Sequence, residues 1–381
     1  MSTKEALVHI EPFAVEQWMN AHETTATWNL GETCVHSLTV DELLALTGDA
    51  DEILRRLRDT RLTYGHIIGS LELRTQIASL YGDAVAPGNV LVANGAIGAN
   101  FLALFALTEP GAGAVCVKPT YQQLYSVPEA LGADLRLLPL REENGYLLDV
   151  DELRSLVDDR TRLIVVNNPN NPTGALMDET LLRDIVEVAA ERDAWLVCDE
   201  VYRMLEHEPG TRPPSIADLY QKGVSTGSMS KSYSLAGLRT GWVAGPSPAI
   251  ARCLDVRDYT TISCGVLDDI LATVALERRD AVLARNLEIV RGNLELVDAW
   301  VEAEPRLRYV RPRAGTTTLI RYGYEVPSVE FCQGMFNLNG AFVVPGAAFG
   351  EEYSFRLGYA CARDVLTGGL AAISEYLRTL E

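Results

Sequence analysis

The sequence predicts an α/β protein in which a large domain, built on a mainly parallel sheet with helices on both faces, is joined to a smaller α+β domain. Three observations carry this reading. From about residue 90 to residue 245, short continuous runs of Val, Leu, Ile and Ala alternate with amphipathic stretches of helical period. Strands that are apolar throughout, rather than at every second position, are those covered on both faces of a parallel sheet. After Pro246 the pattern changes to long helical periods followed by several short strands, as in an α+β unit. A chain of 381 residues also exceeds the usual size of one compact core, so two units are expected.

The elements follow in order. Residues 1–36 read as an arm: His9–Ala21 has amphipathic spacing around Phe13, Val15 and Trp18, and Trp28–Thr33 is an extended piece containing Gly31. Aromatic residues in an arm imply packing on the C-terminal part or on another subunit. Asp41–Leu57 has the pattern of one helix, and in Tyr64–Arg74 a loop feeds a second. Strands are expected at Val90–Val92, Ala114–Val117, Leu135–Leu138, Leu163–Val166, Trp195–Cys198, Val224–Gly227 and Gly241–Ala244. The helices between them run from Asn94 to Leu107, Tyr121 to Leu131, Asp151 to Val157 and Asp178 to Ala190. Beyond Pro246 come helices Pro248–Val256, Leu267–Leu276 and Arg279–Ala303, strands Leu307–Val310, Thr316–Ile320, Phe342–Val344 and Phe355–Tyr359, and a closing helix Leu366–Leu380. The division expected is a large domain over 37–265, with 1–36 and 266–381 forming the arm and the small domain.

Composition narrows the function. A net charge of −19 leaves no Lys/Arg stripe to displace phosphate counterions, which argues against a nucleic-acid surface. Seven cysteines, odd in number, scattered and without C-x-x-C spacing, read as reduced, mostly buried thiols of a cytoplasmic protein. The five histidines stand at no metal-ligand spacing, so no metal is predicted. No export signal is read at the N-terminus, and no apolar run reaches the roughly 18–20 residues that span a bilayer.

Ligands on parallel sheets sit beyond the strand C-termini, so the loops leaving those strands are where chemistry is sought. Ser228–Gly241 holds Lys231, one of only four lysines in the chain, with Arg239 eight positions on. The pair suggests an amine that reacts and a guanidinium that holds an anion, although a lone lysine in such a loop is most often simply solvated. Asn94-Gly-Ala-Ile97 opens a helix directly after a strand, so the N–H groups of Gly95, Ala96 and Ile97 and the helix dipole can hold a phosphate. Lys118-Pro-Thr-Tyr121 puts an aromatic ring at the same edge, able to stack on a planar ring or, as for most residues at a helix start, merely to pack. Asn167-Asn-Pro-Asn-Asn-Pro-Thr-Gly174 is the most specific: four asparagines and two prolines after a buried strand make a rigid polar loop, with a cis bond before Pro172 plausible. Asp199, at the end of the next buried strand, costs several kcal/mol unless a cation faces it. An amine, a buried carboxylate, an aromatic lid, an asparagine and a phosphate cradle at successive strand ends together describe a site for pyridoxal phosphate.

On these motifs, from about Gly31 to the C-terminal helix, the chain resembles the fold-type-I pyridoxal-phosphate enzymes of the class I/II aminotransferase family. The resemblance implies a seven-stranded sheet and a homodimer with shared sites. It implies Lys231 as the Schiff-base lysine, Asp199 as partner of the pyridine nitrogen, and Tyr202 with Asn171 on the ring hydroxyl. Ser228, Arg239 and the Ala96/Ile97 amides, within the Gly95 turn, would hold the phosphate, with Tyr121 stacked on the ring and Tyr64 reaching the phosphate of the other subunit. Arg356, in Phe355-Arg-Leu-Gly358, matches the arginine that grips the substrate α-carboxylate, and Gly31 the glycine beside it. The chain departs from the family where many relatives read Gly-Glu-Pro-x-Phe: here the arm is Gly31-Glu-Thr-Cys-Val35, and Thr240 replaces an aliphatic residue.

The activity implied is transfer of an amino group between an L-amino acid and a 2-oxo acid. Two alternatives stay open. Cys34–Leu43 is faintly similar to capreomycidine-synthase-like enzymes, which cyclise an arginine derivative, so β- or γ-elimination, cyclisation or oxidation of an arginine-like amino acid is the first; Glu32 and His36 are then candidates to meet a basic side chain. The second is a non-catalytic effector-binding module, disfavoured because Lys231 is present and no basic DNA-binding segment precedes the fold.

Overall fold

The computed structural model describes residues 9–381; positions 1–8 of the predicted arm, with Lys4, lie outside them. Its centre is a seven-stranded sheet in the order Val90–Asn94, Thr240–Ala244, Gly223–Ser228, Trp195–Asp199, Thr161–Asn167, Gly113–Lys118, Asp134–Pro139. Thr240–Ala244 runs antiparallel to both neighbours and the remaining pairs are parallel. Six of these strands are buried along nearly their whole length, and those at Val90–Asn94, Gly113–Lys118, Thr161–Asn167 and Trp195–Asp199 are accordingly apolar on both faces. Helices enter through ordinary caps: the Asp149 carboxylate accepts from Glu152 N–H, Asp178 from Leu181 N–H, and the Ser70 hydroxyl from Leu73 N–H.

The register explains where chemistry collects. Asn167 lies opposite Asp199, and Asp199 opposite Thr226, so the ends of three parallel strands share one edge. Asn94 lies opposite Thr240, and Ser228 opposite Gly241. Because Thr240–Ala244 runs the other way, Arg239 reaches that same edge from the start of its strand. Gly241 has to be glycine: a Cβ there would stand 2.3 Å from the carbonyl carbon of Gly95, inside any real contact distance.

A second sheet is four-stranded and antiparallel, in the order Val344–Pro345, Ser354–Gly358, Thr317–Tyr322, Leu307–Tyr309. It packs with helices Arg279–Ala303, Ser328–Asn339 and Arg363–Arg378 around Phe331, whose ring stacks on Tyr322 with centroids 3.8 Å apart. Phe331 is fully buried, so Phe331→Ala is expected to cost about 3–5 kcal/mol, read from the midpoint of denaturant unfolding. Helix Val266–Glu277 buries Ala272, Ala275 and Leu276 in the cluster of Val92 and Trp242, so it packs with the large sheet although it follows residue 265. No helix of the described residues is long and apolar enough to cross a membrane.

Several elements differ from the sequence expectation. Asp41–Leu57 is not one helix but two, Val40–Ala45 and Ala50–Asp59, separated where Gly48 adopts φ +77°. Phe342–Val344 divides: Ala341–Phe342 pairs in parallel with the arm's Trp28–Asn29, whereas Val344–Pro345 joins the four-stranded sheet. Helix Ser328–Asn339 was not expected from the sequence pattern; it ends at Gly340, φ +76°. The arm helix occupies Ala14–His22, starting after Pro12 and Phe13 rather than at His9. Three X–Pro bonds are cis, before Pro119, Pro169 and Pro172.

Candidate active site

One cavity of about 330 Å³ opens at the shared strand edge, lined by the ends of the large sheet, by Arg356 of the small one and by the arm. It contains Lys231, Asp199, Tyr202, Asn171, Ser228, Arg239, Ala96, Ile97, Tyr121 and Arg356. Gly95 and Gly31 stand immediately behind: Gly95 N–H donates to the Arg239 carbonyl at 2.8 Å, and the Gly31 carbonyl accepts from Arg356 Nη2 at 2.8 Å. Tyr64 is not among the lining residues; it is 75% exposed on a separate loop. His36 also lies outside, exposed, with its backbone N–H on the Ala360 carbonyl.

Asp199 is 3% exposed. Its Oδ2 accepts from Asn100 Nδ2 at 2.8 Å and its Oδ1 from Val201 N–H at 3.0 Å, while Thr226 donates to the Asn100 Oδ1 at 2.5 Å. Burial pushes the Asp199 carboxyl above its ordinary range; the two donors and Lys231 pull the other way and do not cancel it. A cation brought up to this carboxylate is what restores its ionised form. Lys231 Nζ donates to Thr33 Oγ1 at 2.5 Å and lies 3.4 Å from Cys34 Sγ. Burial favours its neutral form, but Cys34, Tyr202 and Glu32 outweigh that and hold the amine more basic than an ordinary lysine.

The asparagine loop is a frame as much as a contact surface. Asn167 Nδ2 donates to the Asp199 carbonyl at 2.8 Å, and its Oδ1 accepts from Asn171 N–H at 2.7 Å. Asn171 Oδ1 then accepts from Arg356 Nη1 at 3.3 Å. Arg356 is 2% exposed, faces the Phe349 ring at 5.4 Å and leaves its Nε without an acceptor. Burial lowers its basicity, against the pull of Tyr202, Glu32, Tyr121 and Glu16. A buried guanidinium without a carboxylate partner is costly, and a planar anion in the cavity relieves that cost.

The arm closes the cavity. Tyr121 donates to Glu16 Oε1 at 2.8 Å and its ring tilts against Phe13, centroids 4.9 Å apart. Gln122 clamps the arm from both sides, accepting from Ala14 N–H at 2.8 Å and donating to the Pro12 carbonyl at 2.9 Å. Sequence reasoning noted Thr33 and Cys34 only as part of the arm's departure from the family pattern, and did not single out Asn100, Glu16 or Glu23. Asn100 had a signal, a lone amide in the apolar run Gly95–Leu107; Glu16 and Glu23 had none, because only the folded chain brings them to the strand edge.

The profile of the family described as aminotransferase class I and II matches residues 35–373. The chain belongs to the class I and II aminotransferase family. It is 35% identical to a capreomycidine synthase of Streptomyces vinaceus over 96% of this chain and 93% of that one. Among solved structures it is similar to a PLP-dependent aminotransferase from Streptococcus suis, with a TM-score of 0.94, 40% identity, and 98% and 99% of the two chains covered. It is also similar to the PLP-dependent cyclase OrfR, with a TM-score of 0.89, 27% identity, and 99% and 100% covered.

The cofactor of this aminotransferase-family chain is pyridoxal 5′-phosphate, and the residues present fit it. Asp199 is a buried carboxylate with no cation within ion-pair distance, and Arg239 pairs with no carboxylate, both among the described residues. Gly95 stands at φ +66°, where a side chain is strained, and the point a Cβ would occupy lies 2.8 Å from Arg239 Nη2. The turn and the guanidinium thus converge on one point beside the N-terminus of a 13-residue helix.

Proposed function

We propose that the protein transfers an amino group between an L-amino acid and a 2-oxo acid. The observation that supports this is one cavity lined together by Lys231, the buried Asp199 carboxylate and the buried Arg356, whose Nε has no acceptor. When bound, pyridoxal phosphate supplies an electron sink that makes the amino acid's α-proton removable. Lys231 would carry the cofactor, and its amine, once freed, would take and return that proton. Asp199 would hold the ring nitrogen in its protonated form, and Tyr202 with Asn171 would face the ring hydroxyl. Tyr121 would cover the ring, while Ser228, Arg239 and the Gly95–Ile97 amides would hold the phosphate. Arg356 and the Gly31 backbone would orient the α-carboxylate, so that the Cα–H bond presents itself to Lys231.

Incubating the cofactor-loaded protein with amino acids tests this. A visible band that an amino acid bleaches and a 2-oxo acid restores, with release of the corresponding 2-oxo acid, is the expected result; amine-retaining products without bleaching overturn it. Cyclisation or elimination is the second reading, favoured by the similarity to capreomycidine synthase and to OrfR, and the same assay separates it by the mass of the product. Arg356→Gln is expected to raise the KM for the amino acid roughly 30-fold or more with the visible band intact, because one partner of a buried charge pair is lost.

The same reading divides the chain into a large domain, 37–265, and an arm with a small domain, 1–36 and 266–381, with helix Val266–Glu277 packed across the boundary. It also makes the protein a homodimer. Leu62, Tyr64, Tyr259 and Ile262 are exposed at 80, 75, 94 and 45%, and covering them by a second copy brings Tyr64 to the partner's phosphate. Light scattering at the mass of two chains is the expected result.

A further inference from the structure

The charges lining the cavity do not balance once the cofactor and an α-carboxylate are accounted for. Four carboxylates, Glu16, Glu23, Glu32 and Asp199, face three cations, Lys231, Arg239 and Arg356. On the reading above, which this inference rests on, Asp199, Lys231 and Arg239 serve the cofactor and Arg356 the α-carboxylate. Three glutamates are left. Among the described residues no Lys, Arg or His stands within ion-pair distance of any of them.

Their local partners differ. Glu16 accepts from the Tyr121 hydroxyl, and Glu32 Oε1 accepts from Thr33 N–H at 2.8 Å and Cys34 N–H at 3.1 Å. The surface of Glu32 is exposed toward the cavity, and its carboxylate is held low by Lys231 and those two N–H groups against the opposing effect of burial. Glu23, the C-cap of the arm helix, accepts no hydrogen bond among the described residues; burial first, then Glu32 and Glu16, push its carboxyl above the usual range. The helix that carries Glu16 and ends at Glu23 is anchored, because Trp18 ties it to the Val343 carbonyl at 2.8 Å. Among the described residues no three acidic, His or Cys side chains stand close enough to hold a metal ion, so the charge suits an extended organic cation. The unpartnered Nε of buried Arg356, in the same cavity, independently marks where the ligand's anionic end sits.

We propose that Glu16, Glu23 and Glu32 form a side-chain subsite that selects an L-amino acid bearing a guanidinium or ammonium group. A cation placed there relieves the mutual repulsion of three carboxylates. A neutral side chain leaves that repulsion in place, and an acidic one adds to it.

The test is spectral titration of the cofactor-loaded protein with L-arginine, L-lysine, L-norleucine and L-glutamate. L-arginine or L-lysine is expected to bind at least tenfold more tightly than L-norleucine, with L-glutamate weakest. Glu23→Gln is the decisive variant, since its carboxylate supports no other bond; it is expected to weaken the cationic amino acid about tenfold and L-norleucine less than twofold, with the resting visible band unchanged. Equal binding of L-norleucine and L-arginine, or Glu23→Gln leaving L-arginine unaffected, overturns the subsite and leaves the proposed function standing. A loaded protein whose band answers to no amino acid overturns the proposed function and the subsite together.

Discussion

Lys231→Ala is expected to remove the borohydride-fixable visible band and to lower turnover by about four orders of magnitude or more, since one side chain both carries the cofactor and moves the proton. The variant should still fold. The Lys231 amine hydrogen-bonds only Thr33 Oγ1 and Cys34 Sγ and forms no ion pair among the described residues, so its removal frees two small partners at a cavity wall, and the Asp199 and Glu32 carboxyls that it holds down can take up a proton instead. Circular dichroism and a melting temperature within a few degrees of wild type would establish that, and peptide mass mapping of the borohydride-treated wild type should place the added mass on Lys231. A mass found on Lys118 or Lys222 instead would falsify the assignment of this site.

The gathering of Lys231, Asp199, Asn171 and Arg239 around one cavity was readable in the sequence because strand-end loops announce themselves in residue type. Asp199 ends an apolar strand, and Asn167–Gly174 is too dense in amides for an ordinary turn. The parallel sheet was readable for a related reason: strands buried on both faces need no polar alternation. What stayed hidden depends on long-range closure. The break at Gly48 rests on one left-handed residue inside an otherwise helical pattern. Helix Ser328–Asn339 has a weak apolar stripe because the small sheet buries only Phe331, Cys332 and Met335 of its upper face, together with Ser328. Glu16 and Glu23 look like the polar face of a surface helix until Trp18, Gln122 and Tyr121 seat that helix over the cavity. Cys34 and Thr33 replace residues that the family's arm usually carries, and their contact with Lys231 appears only in the fold.

Asp199→Asn separates stability from catalysis and is expected to move them in opposite directions. In the protein without cofactor, burial raises the Asp199 carboxyl above its unfolded value. A group with a raised folded pKa contributes its stabilisation at low pH and loses it as pH rises through the folded value, so at neutral pH the ionised side chain works against the fold. Asparagine removes that charge while still accepting from Val201 N–H, and an amide flip of Asn100 re-pairs the second position. The cofactor-free variant is therefore expected to melt at or above the wild-type temperature at neutral pH, with the difference shrinking as pH falls. The loaded variant should keep its borohydride-fixable band, because Lys231 is untouched, yet react with an amino acid about 10²–10³-fold more slowly in single turnover, the scale of losing one preorganised electrostatic partner of the reacting centre. A variant that reacts at the wild-type rate would mean that no cation faces position 199 during catalysis. The buried charge would then have no catalytic return for the stability it costs, and the network of Asn100, Thr226 and the Val201 N–H would be only a device for burying an acid.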